Sequence, residues 1–459
     1  MNTVEEAAVI ALDMEWVRLL EKRVEDTQWG EEWRTKRPTI YRVPNHIRDS
    51  DPDAYEPMIV SIGPYHHDKP RLQAMNHIKW HYLKQFLGRN PHMGLADYLR
   101  EIKDKERDIR MAYSEQVDKS SNDFLQMMLL DGCFVIEMLL YWKGQGGLEA
   151  AQNPITSPSS LMVVARDMLM LENQLPFSLL QTLLDSAIPD RSPQLTGLMI
   201  NFLDGCVDFK IQIPSRSVDF HHILHLLHSR VTPPKKLDKM KSQSSDSNRS
   251  LPWMNRLCCC GEDPEVTDEP VSLLGWIPSA TKLREAGVHF RRKKEATSFL
   301  DISFKNKKME IPQLQVDDGT NALFRNLIAF EQCYDEVSSH VTAYASLMDC
   351  IVDTAADVAL LQKCGIIVSG LGDSKEIALL FNKLCKEVAI NDNECHLSSI
   401  FRDVNKHCNT RCNKWRATLN HDYFGNPWAI VSLSAAIFLF VLAITQTILR
   451  IITFVRHHN

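Results

Sequence analysis

Four histidines in one short stretch, His221, His222, His225 and His228, have the most ligand-like spacing in the chain. On a helix, His221, His225 and His228 fall at i, i+4 and i+7 on one face, where two imidazoles can share a metal ion. Such a site also needs ligands from elsewhere and partners for the second ring nitrogens, and no spacing in the sequence supplies them. The four histidines are therefore expected to line a half-buried helix. His77 and His81 are also four apart, but HIKWH lacks the glutamate that an HExxH arrangement uses as a general base. Helix packing is the expectation there. Cys395, His396, His407, Cys408 and Cys412 form a looser group in which only Cys408 and Cys412 approach zinc-finger spacing, so ordinary thiols are expected.

Carboxylates offer a second kind of chemistry. Asp131, Glu137, Asp167 and Glu172 stand inside apolar runs, as a general acid and base sometimes do. Buried acids are more often tied to arginine or backbone N–H groups, and Arg166 and Asn173 are the partners at hand in the local sequence. A structural role is the favoured expectation. No GxSxG elbow, phosphate-cradling GxxxxGK[ST] or GxGxxG run occurs, so no catalytic residue, cofactor or metal ligand is assigned. Cys258, Cys259 and Cys260 follow a lysine cluster and could be S-acylated, giving a second hold on a bilayer. Glu262, Asp263 and Glu265 come directly after them and oppose that, which favours a plain solvated loop. Asn248-Arg249-Ser250 is a glycosylation sequon that matters only in a lumenal protein.

Helical periodicity supplies most of the elements that must position these groups. Residues 74–88 put Met75, Ile78, Tyr82, Leu83 and Phe86 on one face, with Gly88 at the stop. Asn122 can cap a helix from Phe124 to Trp142 that is apolar nearly all round and belongs in a core. Asp131 and Glu137 within it argue against a membrane span. Leu161–Leu184 reads similarly, with Pro176 as a break, and Val218–Arg230 as a further helix. Thr232–Pro270 carries two prolines, a lysine cluster and a serine-rich piece, so a flexible insertion is expected. Beyond it come a helix at Ser279–Ala286 and a β-hairpin whose arms are FLDISF (299–304) and MEIPQLQV (309–316). KNKK forms the turn and Pro312 places the second arm at an edge. Helices follow at Ala322–Tyr334, Val341–Cys364 and Lys375–Val388, then a polar approach at 401–422.

The strongest single signal lies between Trp428 and Leu449, where WAIVSLSAAIFLFVLAITQTIL is long enough to cross a hydrocarbon core. Trp428, Ala429, Ile430, Phe438, Phe440, Gln446, Thr447 and Leu449 are assigned to this transmembrane anchor, with Arg450 and Arg456 beyond it. The first residues open with acids and have no basic n-region, unlike a signal peptide. Lys406, Arg411, Lys414 and Arg416 precede the anchor and fit a cytosolic body by the positive-inside bias. The expected localisation is single-pass, at the plasma membrane or an endomembrane. With 44% hydrophobic and 24% charged residues and a net charge of −6, the body is ordinary globular protein, not a nucleic-acid binder.

The expected fold class is mainly α, a helical body with a small β-hairpin, a flexible central insertion and one C-terminal transmembrane helix. Its units are an N-terminal helical extension (1–39), a first half of the body (40–231), the insertion (232–270), a second half (271–422) and the anchor with its tail (423–459).

Several phrases recur in an order that resembles one known family. They are YRVP at Tyr41–Pro44, PMIVSIGPYHH at Pro57–His67, DGCFVIEMLL from Asp131 and DMLMLENQLPF at Asp167–Phe177. SATKLREAGVHF at Ser279–Phe290, RNLIAFEQC at Arg325–Cys333 and YFGNPWA at Tyr423–Ala429 follow. Together they resemble the plant domain-of-unknown-function 247 family from about Ile40 onward. The resemblance implies a largely helical, membrane-anchored plant protein and carries over no catalytic residue. Some grass members of that family are associated with pollen–stigma self-incompatibility. The favoured reading is a membrane-tethered interaction or recognition module. Its partners would be membrane lipid and a protein, with no nucleic acid and no small-molecule substrate. The alternative is a hydrolase or transferase whose site combines the buried acids and histidines.

Overall fold

The computed structural model describes residues 14–26, 37–144, 155, 157–189, 194–207, 220–233, 276–389, 395–410 and 427–458. The protein is mainly helical, with two small sheets among the described residues. Cys258, Cys259 and Cys260, the sequon and nearly all of the expected insertion lie outside the described residues, as does Cys412. Helix α1 covers Met14–Asp26, and the short α2 (Asn45–Arg48) opens the body. Helices α3 (Ala74–Leu87), α4 (Leu95–Asp104) and α5 (Glu106–Met111) lead to the long α6 (Ser121–Trp142). Buried apolar side chains from Ile40 to Val404 belong to one continuous core.

Helix α6 is the hub of the first half because it is apolar all round, and 89% of its apolar window is buried. Helices α3, α4, α8 (Phe177–Ala187) and α9 (Leu195–Cys206) pack around it. Its cap is Ser120, whose hydroxyl accepts the Asp123 N–H at 3.2 Å, so Asn122 is a helical residue and not the cap. Gly132 lets α8 approach closely, since a Cβ there would sit 2.4 Å from Leu183 Cδ1. On α3 the buried face carries Lys79 among Met75, Tyr82, Leu83 and Phe86, while Ile78 is only partly buried.

The expected helix over Leu161–Leu184 is two helices. Helix α7 (Pro158–Asp167) ends before a stretch of irregular chain, 168–176, every residue of which is buried, and α8 follows Pro176. Helix α10 is Ile223–Val231, not Val218–Arg230, because His222 accepts the His225 N–H at 3.2 Å and caps it. Helix α11 (Ala280–Glu285) follows. Val341–Cys364 also divides, into α13 (His340–Ile351) and α14 (Ala355–Lys363), where Thr354 and Asp357 form a capping box that starts a new helix. Helices α12 (Thr320–Cys333) and α15 (Ser374–Leu384) flank that pair. The approach region contains α16 (Ser398–Asn409), which buries Ile400, Phe401 and Val404.

The hairpin forms as β2 (Ser303–Lys305) and β3 (Lys308–Pro312), but β3 is the central strand. A strand absent from the sequence reading, β1 (His289–Lys293), lies parallel to β3 on its other side, giving the order β1-β3-β2. Pro312 ends that central strand, where its missing N–H does little harm. Leu314–Val316 (β4) leaves this sheet and pairs in parallel with Ile367–Ser369 (β5). Helix α17 (Pro427–His458) includes every position assigned to the anchor.

Candidate functional site

Two irregular segments, 56–66 and 168–176, meet inside the core, and their backbone N–H and C=O groups have no ladder to join. Side chains replace the ladder. Asp167 ends α7 and accepts backbone N–H groups from Met58 at 2.9 Å, Ile59 at 2.7 Å and Val60 at 2.9 Å. Asn173 accepts the Ile62 N–H at 2.6 Å and donates to the carbonyls of Val60 at 3.0 Å and Asp167 at 2.9 Å. Gln174 donates to the Met168 and Met170 carbonyls at 2.7 and 2.8 Å, and accepts the Leu224 N–H at 3.2 Å. Gly63 has φ +75, and a Cβ there would stand 2.9 Å from the Gln174 carbonyl oxygen. That backbone conformation and that close approach both require glycine.

Each remaining acid is held by its own cation. Lys79 on α3 and Asp131 on α6 are both 1% exposed and form an ion pair. Lys79 also donates to the Ser61 carbonyl at 2.6 Å, and Asp131 accepts the Gly63 N–H at 2.8 Å. Glu137 on α6 is gripped by both forks of Arg89, one of them at 2.6 Å. Glu172 accepts the Val43 N–H at 2.7 Å, pairs with Arg48 and lies 3.2 Å from His66 Nε2. Arg166 takes no part. Its guanidinium lies against Gly319 beside a cavity of about 90 Å³, and Asn173 serves backbone groups instead of a carboxylate.

Burial has opposite net results for two of these acids. Around Asp167 it outweighs the three N–H donors and raises the carboxyl to about 6. Around Glu172 burial also pushes upward, but His66, Arg48 and the Val43 N–H overcome it and bring the carboxyl down to about 2. A folded value below the unfolded 4.5 means that Glu172 stabilises the fold above about pH 4.5 and loses this contribution as pH falls towards 2. The loss should reach about 3 kcal/mol. Denaturation of wild type and Glu172→Gln between pH 5 and about pH 2.5 checks this. Equal slopes for both proteins would show that Glu172 is not the acid-sensitive group.

The histidine run finds protein partners in the same way. His222 donates from Nε2 to the Thr39 carbonyl at 2.9 Å while its Nδ1 caps α10. His221 Nε2 lies 3.1 Å from the Tyr334 hydroxyl, and His228 Nε2 lies 2.7 Å from Glu331 on α12. Glu331 also accepts the N–H groups of Val341 and Thr342 at 2.9 and 2.8 Å, fastening the start of α13. Burial lowers His222 to about 3 and, with its histidine neighbours, His225 to about 2, so both are neutral imidazoles packed on Phe330. His77 and His81 are exposed on α3 and not in a packing face. His396 meets His340 at 2.9 Å, His407 lies 3.3 Å from the Ala286 carbonyl, and Cys395 is buried. Among the described residues, no three His, Cys, Asp or Glu side chains gather to hold a metal ion.

The geometry thus brings Asp131, Asp167 and Glu172 to one pair of loops but separates them by giving each its own partners. The cavity beside Arg166, a shallow cleft at Glu101 and Lys105 and an apolar groove at Trp80 and Leu95 are lined by none of the four acids or four histidines. The two histidine–carboxylate contacts, His228–Glu331 at 2.7 Å and His66–Glu172 at 3.2 Å, are both buried, with no side chain in them more than 3% exposed. The sequence reading missed Lys79, Arg48, Arg89, His66 and Glu331. Only Lys79 left a signal, a cation four residues after Met75 and three before Tyr82 on an otherwise apolar face.

Comparisons agree with the motif order. A family model described as a plant protein of unknown function matches residues 40–442. The chain is similar to the Arabidopsis thaliana UPF0481 protein At3g47200, 30% identical over 422 residues, covering 90% of this chain and 86% of that protein. It is also similar to the putative UPF0481 protein At3g02645 of the same plant, 23% identical over 478 residues and 89% of each chain. No solved structure matches.

Proposed function

The chain belongs to the plant domain-of-unknown-function 247 family, and from that premise we propose that it is a membrane-tethered interaction module. One contrast carries the reading. Among the described residues two helices are long and apolar enough to cross a bilayer, yet one window is 89% buried and the other, Ser434–Ile451, is 0% buried. Helix α6 has found its apolar surroundings in the protein; α17 has not, and lipid would supply them. Phe438, Phe440 and Leu449 are 64%, 68% and 58% exposed. Thr445 and Thr447 return their hydroxyls to the carbonyls four residues earlier, both at 2.8 Å, which suits a hydrocarbon setting. Acids and histidines already neutralised inside the body favour a binding surface over a reaction, with the body on the cytosolic side.

Alkaline carbonate extraction of plant membranes tests the tether. The full chain should stay in the pellet, and a chain lacking 427–458 should move to the supernatant. Release of the full chain by carbonate would end the reading. The module half predicts a stoichiometric protein partner on native gels of gently solubilised membranes; migration as the bare chain would count against it.

A further inference from the structure

The net charge of the chain is −6, yet the outer face of the three-stranded sheet is basic. Register explains why the charges share a face. Phe290, Met309 and Phe304 align across β1, β3 and β2 and turn inward, so the rows on either side turn outward. One outward row is His289, Lys308 and Lys305; the other is Arg291, Glu310 and Ser303. Lys307 lies in the turn that joins Lys305 to Lys308. Arg291, Lys305, Lys307 and Lys308 are all exposed, and none has an ion-pair partner among the described residues. Glu310 is the one acid in these two rows.

Two features of the hairpin work against its own stability. Lys305 and Lys308 are directly opposite, where like charges repel. Asn306 and Lys307 have φ of 51 and 65, the two-residue turn that prefers glycine second, yet lysine stands there. The face also lies beside α16, the described helix that precedes the proposed tether in sequence. Helix α16 packs on β2, Phe304 meets the His407 ring at 6.2 Å, and the 17 residues 410–426 join α16 to α17. That covalent link cannot exceed about 60 Å.

We propose that this face, with Arg291, Lys305, Lys307 and Lys308, docks on anionic phospholipid headgroups of the bilayer that holds α17. The inference rests on the membrane-tether reading. Lipid is the favoured anion because the tether confines the body near a bilayer and the rest of the chain is acidic. Each cation near such a surface adds to binding, and salt weakens the sum.

Hydrogen exchange of the full chain in nanodiscs tests it. With about 30% phosphatidylserine, the amides of 303–311 should exchange at least about fivefold more slowly than in pure phosphatidylcholine. About 0.5 M NaCl should abolish the difference. The variant Lys305→Gln/Lys307→Gly/Lys308→Gln removes three of the four charges and relaxes the turn, so it should fold, enter nanodiscs and lose most of the phosphatidylserine effect. Equal exchange in both lipids overturns the docking face while leaving the tether intact. Equal slowing in phosphatidylcholine by millimolar inorganic phosphate, or by an oligonucleotide, overturns the choice of lipid. Failure of the full chain to enter nanodiscs overturns both readings.

Discussion

Replacing Lys79 with methionine should cost the fold about 3–5 kcal/mol, although methionine fills nearly the same volume. The loss comes from what stays behind. Asp131, 1% exposed on α6, would be left with the Gly63 N–H as its hydrogen-bond donor, and the Ser61 carbonyl would lose the Lys79 donor. Lys79→Met/Asp131→Asn isolates the cause, because a neutral amide needs no counter-charge and its oxygen can still accept the Gly63 N–H. The double variant should regain about 2 kcal/mol relative to the sum of the single costs. Denaturant unfolding of the four proteins in one detergent measures the cycle. Strict additivity would mean that the pair is not coupled.

Asp167→Ala should lose about 3–4 kcal/mol, since it bares three N–H groups at the edge of the core. With the carboxyl raised to about 6, its ionised form is no more comfortable than in water, so the cost lies in the orphaned backbone and not in a lost charge. Asp167→Asn separates these terms. Its single oxygen can still serve Ile59 and Val60, which share one carboxylate oxygen, while its amide nitrogen faces the Met58 N–H. The asparagine variant should lose about half as much as alanine. An alanine variant within about 0.5 kcal/mol of wild type would show that water replaces the carboxylate without penalty.

Both experiments bear on why the family phrases have their composition. IVSIGPYHH and LENQLP sit in chain that is neither helix nor strand, and burying such chain strands its polar groups unless side chains satisfy them. Asp, Asn and Gln at 167, 173 and 174 do so, and glycine at 63 makes room. A substitution at these positions acts on the joint between two loops before it acts on any surface a partner would touch.

Periodicity within a dozen residues was enough to find the helices at 74–87 and 121–142, the hairpin turn and the apolar run in 427–458, because helix and hairpin signals are local. The same locality misled at Leu161–Leu184 and Val341–Cys364. Apolar spacing there continues across a buried loop and across a capping box. What the chain could not reveal in one dimension was the pairing of its polar residues. Asp167 serves N–H groups more than 100 positions earlier, Glu172 meets Val43 across 129, and strand β1 pairs in parallel with β3, beyond the intervening β2. A hydrogen bond between a side chain and distant backbone has no period to read, so Arg166 looked like the natural partner of the acids until folding brought Arg48, Lys79 and bare N–H groups to them.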